Sequence, residues 1–173
     1  MILGLALPTY AGVMPEERPL HWLLVRCVEY ALGALEASLP LDGSEDPRDV
    51  GHRAADSGIR WLGYWSSDFV TPVGGTEGLV EQAHRAFDVA VKGDVSTVIA
   101  FGAGGKHNRF TREPVLAEQL QRVADHLGPV VEAAAQRSLR LALLPHLDYR
   151  AAETLQVIEQ VNHPALKMAF DSA

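Results

Sequence analysis

The chain has 173 residues and a mass of 18.8 kDa; 47% of its residues are hydrophobic and 21% are charged. This length and balance suit one globular domain, and they exclude a disordered, collagen-like or coiled-coil chain. The net charge of −7 excludes a large basic surface, so we expect neither nucleic acid nor an anionic membrane as a partner.

Short apolar runs alternate with longer amphipathic stretches along the whole chain. The runs predict six strands, at 2–7, 32–37, 59–65, 95–101, 139–144 and 166–170. Helical spacing of apolar residues predicts five helices between them, at 19–30, 47–57, 76–93, 113–136 and 150–161.

Local signals mark the ends of two of these helices. Asp46 before Pro47 is typical of a helix N-terminus, and Gly58 is typical of the end of that helix. Pro129 lies inside the fourth predicted helix. We expect a kink there, because proline lacks a backbone N–H and its ring clashes with the preceding turn.

Alternation of strands and helices indicates a parallel sheet with right-handed crossovers. The apolar runs agree, because parallel strands are covered on both faces. Two architectures remain open: a doubly wound sheet, or part of an α/β barrel. At roughly 30 residues per unit, a complete eight-stranded barrel needs about 250 residues. We therefore expect any barrel here to be an incomplete one, with about six parallel strands.

The glycine-rich stretch after the fourth strand fails both phosphate-binding patterns. His107 stands where a P-loop needs a hydroxyl, Ala100 stands where it needs its first glycine, and the third glycine of a dinucleotide motif would also fall on His107. The stretch therefore predicts a tight turn. The alternative is a polar pocket rim, at which Lys106, His107 or Arg109 contacts an anionic or hydroxylated ligand.

Polar residues stand at the ends of three predicted strands. Glu36 ends the second, His146 follows the fifth, and Asp171 ends the sixth. Because the carboxyl ends of parallel strands meet at one edge, we expect these three side chains to share a cavity. Asp171 is a candidate ligand for a hard metal. The alternative for His146 is a hydrogen-bonded structural role, and the alternative for Asp171 is a solvated turn residue. The alternative for Asp148, near His146, is the N-cap of the next helix.

Tyr64 and Trp65 end the third strand and are candidates for an aromatic wall against which a sugar ring packs; the alternative is ordinary core packing. The single cysteine, Cys27, lies on the apolar face of the first predicted helix and is predicted to be core. One cysteine excludes an internal disulfide, which is typical of a reducing cytoplasm. We expect no membrane span, since the apolar regions are interrupted by proline or by charge.

Two stretches resemble those of a known family: LPHLDY at 144–149 and NHPALKMAFD at 162–171. Two shorter matches support the resemblance, LEA at 35–37 and FGAG at 101–104. The chain resembles the xylose-isomerase-like TIM barrels, which include sugar phosphate isomerases and epimerases with endonuclease IV-type relatives. The resemblance covers strands one to six, so it implies a single partial barrel domain over 1–173.

The resemblance implies a divalent metal (Mn²⁺, Mg²⁺, Co²⁺ or Zn²⁺), held by residues after strands five to eight. It also implies metal-assisted proton transfer through an enediolate on a small sugar, ketose or polyol. Asp171 matches the strand-six ligand, whereas Leu144 stands where the family has a glutamate. The predicted site comprises catalytic Glu36 and His146, substrate-binding Tyr64, Trp65, Lys106 and His107, and the metal ligand Asp171.

Leu144 favours a second hypothesis, a catalytically silent ligand-binding or structural module on the same scaffold, because leucine neither binds metal nor carries a proton. A third hypothesis, an open nucleotide-binding domain, is disfavoured by the failed glycine patterns. Six strands leave the first and last with a free edge, and open edges favour pairing with another chain. We therefore expect a homo-oligomer or pairing with additional strands.

Overall fold

A computed structural model of the protein describes residues 2–6, 10, 12–41 and 45–170. In these ranges, strands and helices alternate in the predicted order. The elements are β1 (Gly4–Ala6), α1 (Pro19–Glu29), β2 (Ala34–Ser38), α2 (Pro47–Asp56), β3 (Arg60–Trp65), α3 (Gly75–Lys92), β4 (Thr97–Phe101), α4 (Leu116–Ala135), β5 (Arg140–Leu144), α5 (Ala151–Val161) and β6 (Leu166–Met168).

The six strands form one sheet in which every pairing is parallel and the spatial order follows the chain, β1 to β6. A doubly wound sheet would reverse its strand order at a switch point, so this order excludes that architecture. Among the described residues the sheet is not closed, because β1 and β6 each pair with one strand. The prediction of an incomplete barrel is therefore confirmed.

The two faces of the sheet differ in burial. Consecutive helices contact each other in chain order, as they do around a barrel, and cover one face. Leu35, Val98 and Leu141 on that face are fully buried. On the other face, here called the inner face, residues such as Glu36 and Tyr64 are half-buried. The core thus lies between sheet and helices, and the inner face keeps access to solvent.

The helix ends follow local chemistry. Asp46 caps α2 as predicted, because its carboxylate accepts a hydrogen bond from the backbone N–H of Arg48 at 3.0 Å. Helix α4 begins at Leu116 rather than at the predicted residue 113, since the residue before Pro114 is disfavoured in helical conformation. The helix continues through Pro129 to its end. In the described part of the chain, no helix has both the length and the apolar character to cross a bilayer.

Cys27 is part of the core, as predicted. Its side chain is fully buried beneath the sheet, with Sγ 3.4 Å from the carbonyl oxygen of Ala34. Burial raises the pKa of the thiol, because the thiolate loses hydration. The residue therefore behaves as a small apolar side chain rather than as a nucleophile.

Candidate functional site

Strand register places the predicted acid Glu36 and the predicted aromatic Tyr64 on the inner face. Ser38 of β2 lies opposite Tyr64 of β3, and Glu36 lies two residues before Ser38. Because side chains alternate along a strand, Glu36, Ser38 and Tyr64 point to the same side. Ser38 ends β2 and Tyr64 lies one residue before the end of β3, at the edge where α/β barrels carry their sites. Glu36 is the middle residue of β2 rather than its last, because the strand extends to Ser38.

Aromatic contacts connect Tyr64 to side chains at the ends of the next two strands, β4 and β5. The ring of Phe101, the last residue of β4, lies edge-on to Tyr64 with 5.1 Å between ring centroids. On its other side, Phe101 stacks on the imidazole of His146 at 5.2 Å, with 28° between the planes. Glu36, Tyr64, Phe101 and His146 form what we call the inner-face cluster.

The charge of Glu36 acts on Tyr64. Burial raises the pKa of the Tyr64 phenol, a hydrogen bond with Ser66 opposes that rise, and the negative carboxylate of Glu36 raises the pKa further. The phenol therefore stays protonated at neutral pH and is available as a hydrogen-bond donor. A carboxylate beside a neutral hydroxyl suits a ligand that carries its own hydroxyl groups.

Two adjoining cavities lie at the carboxyl end of β3, next to this cluster. One has a volume of about 370 Å³ and is lined by Ser38, Tyr64, Ser66, Gln82 and Arg85, among others. The second, of about 200 Å³, shares Ser66 and Gln82 with the first and is bordered by Lys106. Both cavities are also bordered by Gln82 of α3, so they lie at the rim between the sheet and that helix, and Tyr64 borders the larger one.

The glycine-rich stretch forms the predicted tight turn. Gly104 and Gly105 adopt φ angles of 57° and 76°, and the backbone N–H of Lys106 bonds to the carbonyl of Ala103 at 3.1 Å. A side chain at position 104 would meet the backbone oxygen of Ser67 at 2.7 Å. Glycine is required there both by conformation and by space.

Lys106 is engaged rather than free, since its Nζ lies 3.2 Å from a carboxylate oxygen of Asp68. Burial alone would raise the pKa of Asp68, but hydrogen bonds from Thr71, Lys106 and Val70 together hold it below its ordinary value. His107 is half-buried, and its Nδ1 has no hydrogen-bond partner among the described residues. Lys106 and His107, two of the predicted substrate-binding residues, lie on the loop after β4.

Asp148 does not cap α5, so the alternative role predicted for it is wrong. Arg150 is the N-cap, and its backbone N–H bonds to Glu153 at 2.7 Å. The Asp148 side chain instead turns into the protein, is 4% exposed, and accepts a 3.1 Å hydrogen bond from the N–H of Ala103. Burial raises the pKa of Asp148, although its bonds from backbone N–H groups and the nearby His146 oppose the rise.

Further bonds join the loops after β4 and β5. The Arg109 guanidinium pairs with Glu153 at 2.8 Å, with both side chains largely buried. The Tyr149 hydroxyl donates to Gln119 at 3.1 Å, and Gln119 in turn donates to the carbonyl of Pro114 at 2.8 Å. The Arg109–Glu153 and Tyr149–Gln119 contacts span 44 and 30 residues, so no local sequence signal indicates them.

The family follows from a sequence comparison. The family model described as xylose isomerase-like TIM barrel matches residues 25–173. The chain belongs to the xylose isomerase-like TIM barrel family. No curated protein matches it in sequence.

Several solved structures are similar to this xylose isomerase-like chain. An L-ribulose 3-epimerase matches with a TM-score of 0.76 and 18% identity, covering 95% of this chain and 58% of its own. D-psicose 3-epimerase from Clostridium cellulolyticum H10 matches with a TM-score of 0.79 and 15% identity, covering 97% and 62%. An AP endonuclease of family 2 from Brucella melitensis matches at 0.74 and 14%, covering 99% and 69%.

These identities show a shared fold and no more. The chain spans less than two thirds of the length of either epimerase. The order of strands and the unclosed sheet agree with this coverage.

Strand alternation turns the side chains of Tyr64 and Trp65 to opposite faces, although both residues border the larger cavity at the carboxyl end of β3. Trp65 follows Tyr64 directly, so its side chain points to the helix-covered face. It is 3% exposed and packs edge-on against Phe69 and Phe87, each at 5.9 Å. The structure therefore places Trp65 in the core and Tyr64 on the inner face.

The metal site implied by the resemblance is not assembled in the described part of the chain. No group of three His, Cys, Asp or Glu side chains that could hold a metal ion occurs there. Leu144 pairs with Phe101 in the strand register, and its hydrocarbon side chain has no oxygen with which to bind a metal. Asp171, the predicted ligand, lies outside the described residues. The donors among the described residues do not by themselves form a site for a divalent metal.

Proposed function

We propose that this chain binds a small sugar, ketose or polyol on its inner face, as part of a protein of the sugar isomerase and epimerase type. The observation that supports the proposal is the inner-face cluster, in which the Tyr64 phenol and the His146 imidazole both contact Phe101 and the Glu36 carboxylate acts on the phenol. Aromatic rings pack against the apolar C–H face of a sugar, and the polar groups bond to its hydroxyls. Two of the similar structures are sugar 3-epimerases.

Isomerisation and epimerisation start with the removal of a proton from a carbon next to a carbonyl group. In our proposal Glu36 takes that proton, the C–H electron pair becomes the double bond of an enediolate, and the carbonyl oxygen gains the negative charge. Tyr64 donates a hydrogen bond to that oxygen. In isomerisation Glu36 returns the proton to the neighbouring carbon, while His146 moves the hydroxyl proton from one oxygen of the enediolate to the other. In epimerisation His146 delivers a proton to the opposite face of the same carbon, and Glu36 and His146 then exchange protons with solvent.

A divalent metal would polarise the carbonyl in this chemistry, but the described residues do not supply its ligands. Side chains of this chain therefore carry each step that we propose. The predicted substrate-binding residues Lys106 and His107 lie on the loop after β4, and Lys106 borders the smaller cavity. We propose that they contact the ligand from that side.

A second candidate function is ligand binding without catalysis. Leu144 favours it, since this residue lies beside Phe101 at the carboxyl end of β5 and can neither hold a metal nor carry a proton. Under this hypothesis the inner-face cluster keeps its affinity for a hydroxylated ligand and performs no proton transfer. The two candidates differ in one measurable event, the exchange of a substrate proton with solvent.

The test is ¹H NMR of D-fructose with the protein in D₂O, with EDTA and separately with Mn²⁺. We expect saturation transfer from protein to sugar, and loss of the signals of protons next to the carbonyl as deuterium replaces them. Glu36→Gln should keep the transfer and lose the exchange, whereas Glu118→Gln, on the exposed side of α4, should keep both. Transfer without exchange in both solutions supports the silent module; no transfer at all contradicts both candidates.

A further inference from the structure

Asp148 is bonded to both chain segments that carry the stacked rings of the inner-face cluster. Its backbone N–H donates to the carbonyl of His146 at 2.7 Å. Its carboxylate accepts from the N–H of Ala103, two residues after Phe101, at 3.1 Å. The Asp148 backbone carbonyl accepts a third bond, from the N–H of Arg109 at 2.8 Å. One residue thus fixes the end of β4 relative to the end of β5.

We propose that Asp148 is the positioning residue that holds the imidazole of His146 against Phe101. This inference rests on the proposed function, because it concerns the same ligand-binding face. Asp148 itself is 4% exposed and is turned away from solvent. It therefore acts through His146 and Phe101 and does not contact the ligand.

The turn that carries His146 needs such support. Leu147 adopts a φ of 59°, a left-handed conformation that is unfavourable for a residue with a side chain. Its own side chain is 86% exposed and so contributes no packing that would hold the turn. Two bonds of Asp148 compensate for this conformation. Its N–H closes the turn onto the carbonyl of His146, and its carboxylate anchors the turn to the N–H of Ala103.

The carboxylate is suited to this role because two backbone donors converge on it. Oδ2 accepts from Ala103, and Oδ1 accepts from the N–H of Tyr149 at 2.9 Å. An asparagine at this position has one oxygen and one NH₂ group, so one of the two donors would lose its acceptor. A buried donor left without an acceptor is unfavourable, and the turn would shift to relieve it.

The close approach of the two loops agrees with this role. A Cβ at position 102 would lie 2.9 Å from Cε2 of Tyr149 and 3.4 Å from Oδ2 of Asp148. Glycine at 102 is what allows the Tyr149 ring to lie against the loop after β4. Replacing Gly102 with alanine therefore pushes Tyr149, and with it the adjoining Asp148, away from that loop without altering the carboxylate itself.

The experiment follows the ring protons of His146 by ¹H–¹³C NMR, with the signals assigned from a His146→Gln sample. The face of Phe101 shifts these signals, and Phe101→Leu defines the position without that ring. We expect Asp148→Asn to lose most of the ring-dependent shift and to weaken D-fructose binding about tenfold, equivalent to about 1.4 kcal/mol. Tyr149→Phe, which removes a hydrogen bond of the same loop and leaves Asp148 intact, should leave the His146 signals in place.

A folded Asp148→Asn protein whose His146 signals stay at their wild-type positions overturns the inference. If that variant does not fold, Gly102→Ala gives the same test, and unchanged His146 signals in it are equally contradictory. The shift readout needs no ligand. Failure of wild-type protein to bind D-fructose therefore counts against the proposed function alone, and a lost ring shift in Asp148→Asn still supports the positioning role.

Discussion

The imidazole of His146 stacks on the ring of Phe101, with 5.2 Å between their centroids. Phe101 ends β4, His146 lies two residues after the end of β5, and the parallel register, in which Phe101 lies opposite Leu144, brings them together. Tyr64 lies edge-on to the other side of Phe101. Phe101 was not among the site residues that the sequence predicts, yet it is the residue through which Tyr64 and His146 are connected.

Replacing Phe101 with leucine should weaken D-fructose binding about two- to tenfold, since an aromatic pair contributes about 0.5–1.5 kcal/mol beyond its buried area. Titration calorimetry measures this. The matched control is Phe110→Leu, on the loop after β4, where the side chain is 81% exposed. Equal weakening in the two variants would show that Phe101 has no special part in binding.

Tyr64 and Trp65 should respond to substitution in opposite ways. Trp65→Ala removes a buried ring and should lower the free energy of unfolding by about 3–5 kcal/mol. Tyr64→Phe keeps the ring and removes the hydroxyl, so it should lower ligand affinity with little change in stability. Urea unfolding and sugar titration of both variants test this. Loss of affinity in a folded Trp65 variant with Tyr64 intact would place Trp65 in the ligand site after all.

Asp68 should stabilise the protein in a pH-dependent way. Its folded pKa lies below its ordinary value, because hydrogen bonds from Thr71, Lys106 and Val70 outweigh burial. Its contribution is therefore present above the unfolded pKa of about 3.9 and is lost as the pH falls through the lower, folded value. We expect Asp68→Asn to lose about 1–3 kcal/mol at neutral pH.

Urea unfolding of wild type and Asp68→Asn between about pH 7 and pH 3 measures this difference. The gap between the two proteins should narrow as the pH falls. A gap that stays constant or widens toward acid would show that the hydrogen bonds to Asp68 do not favour its charged form.

Much of the fold could be predicted because it depends on local patterns. Apolar runs located the strands, helical spacing located the helices, and Asp46 before Pro47 located the start of α2. Glycines after β4 indicated the turn, since the positive φ angles there exclude most side chains. The parallel order followed from the alternation of strands and helices.

The site was predicted less completely, for two physical reasons. Neighbouring residues in a strand point to opposite faces, so Tyr64 and Trp65 could not both reach the inner face; this alternation was present in the sequence. Asp148, by contrast, bonds to a backbone N–H 45 residues earlier in the chain, at Ala103. Local cap chemistry predicted a different role for it, and only tertiary structure shows the contact.

In our proposal the inner-face cluster binds a hydroxylated sugar. A D-fructose titration of ¹³C- and ¹⁵N-labelled protein, followed by NMR, tests this binding most directly. We predict that the largest shift changes occur at Glu36, Tyr64, Phe101 and His146, at the carboxyl end of the sheet. Shift changes confined to the opposite end of the strands, at Arg60 and Arg140, or no changes at all, would contradict the account.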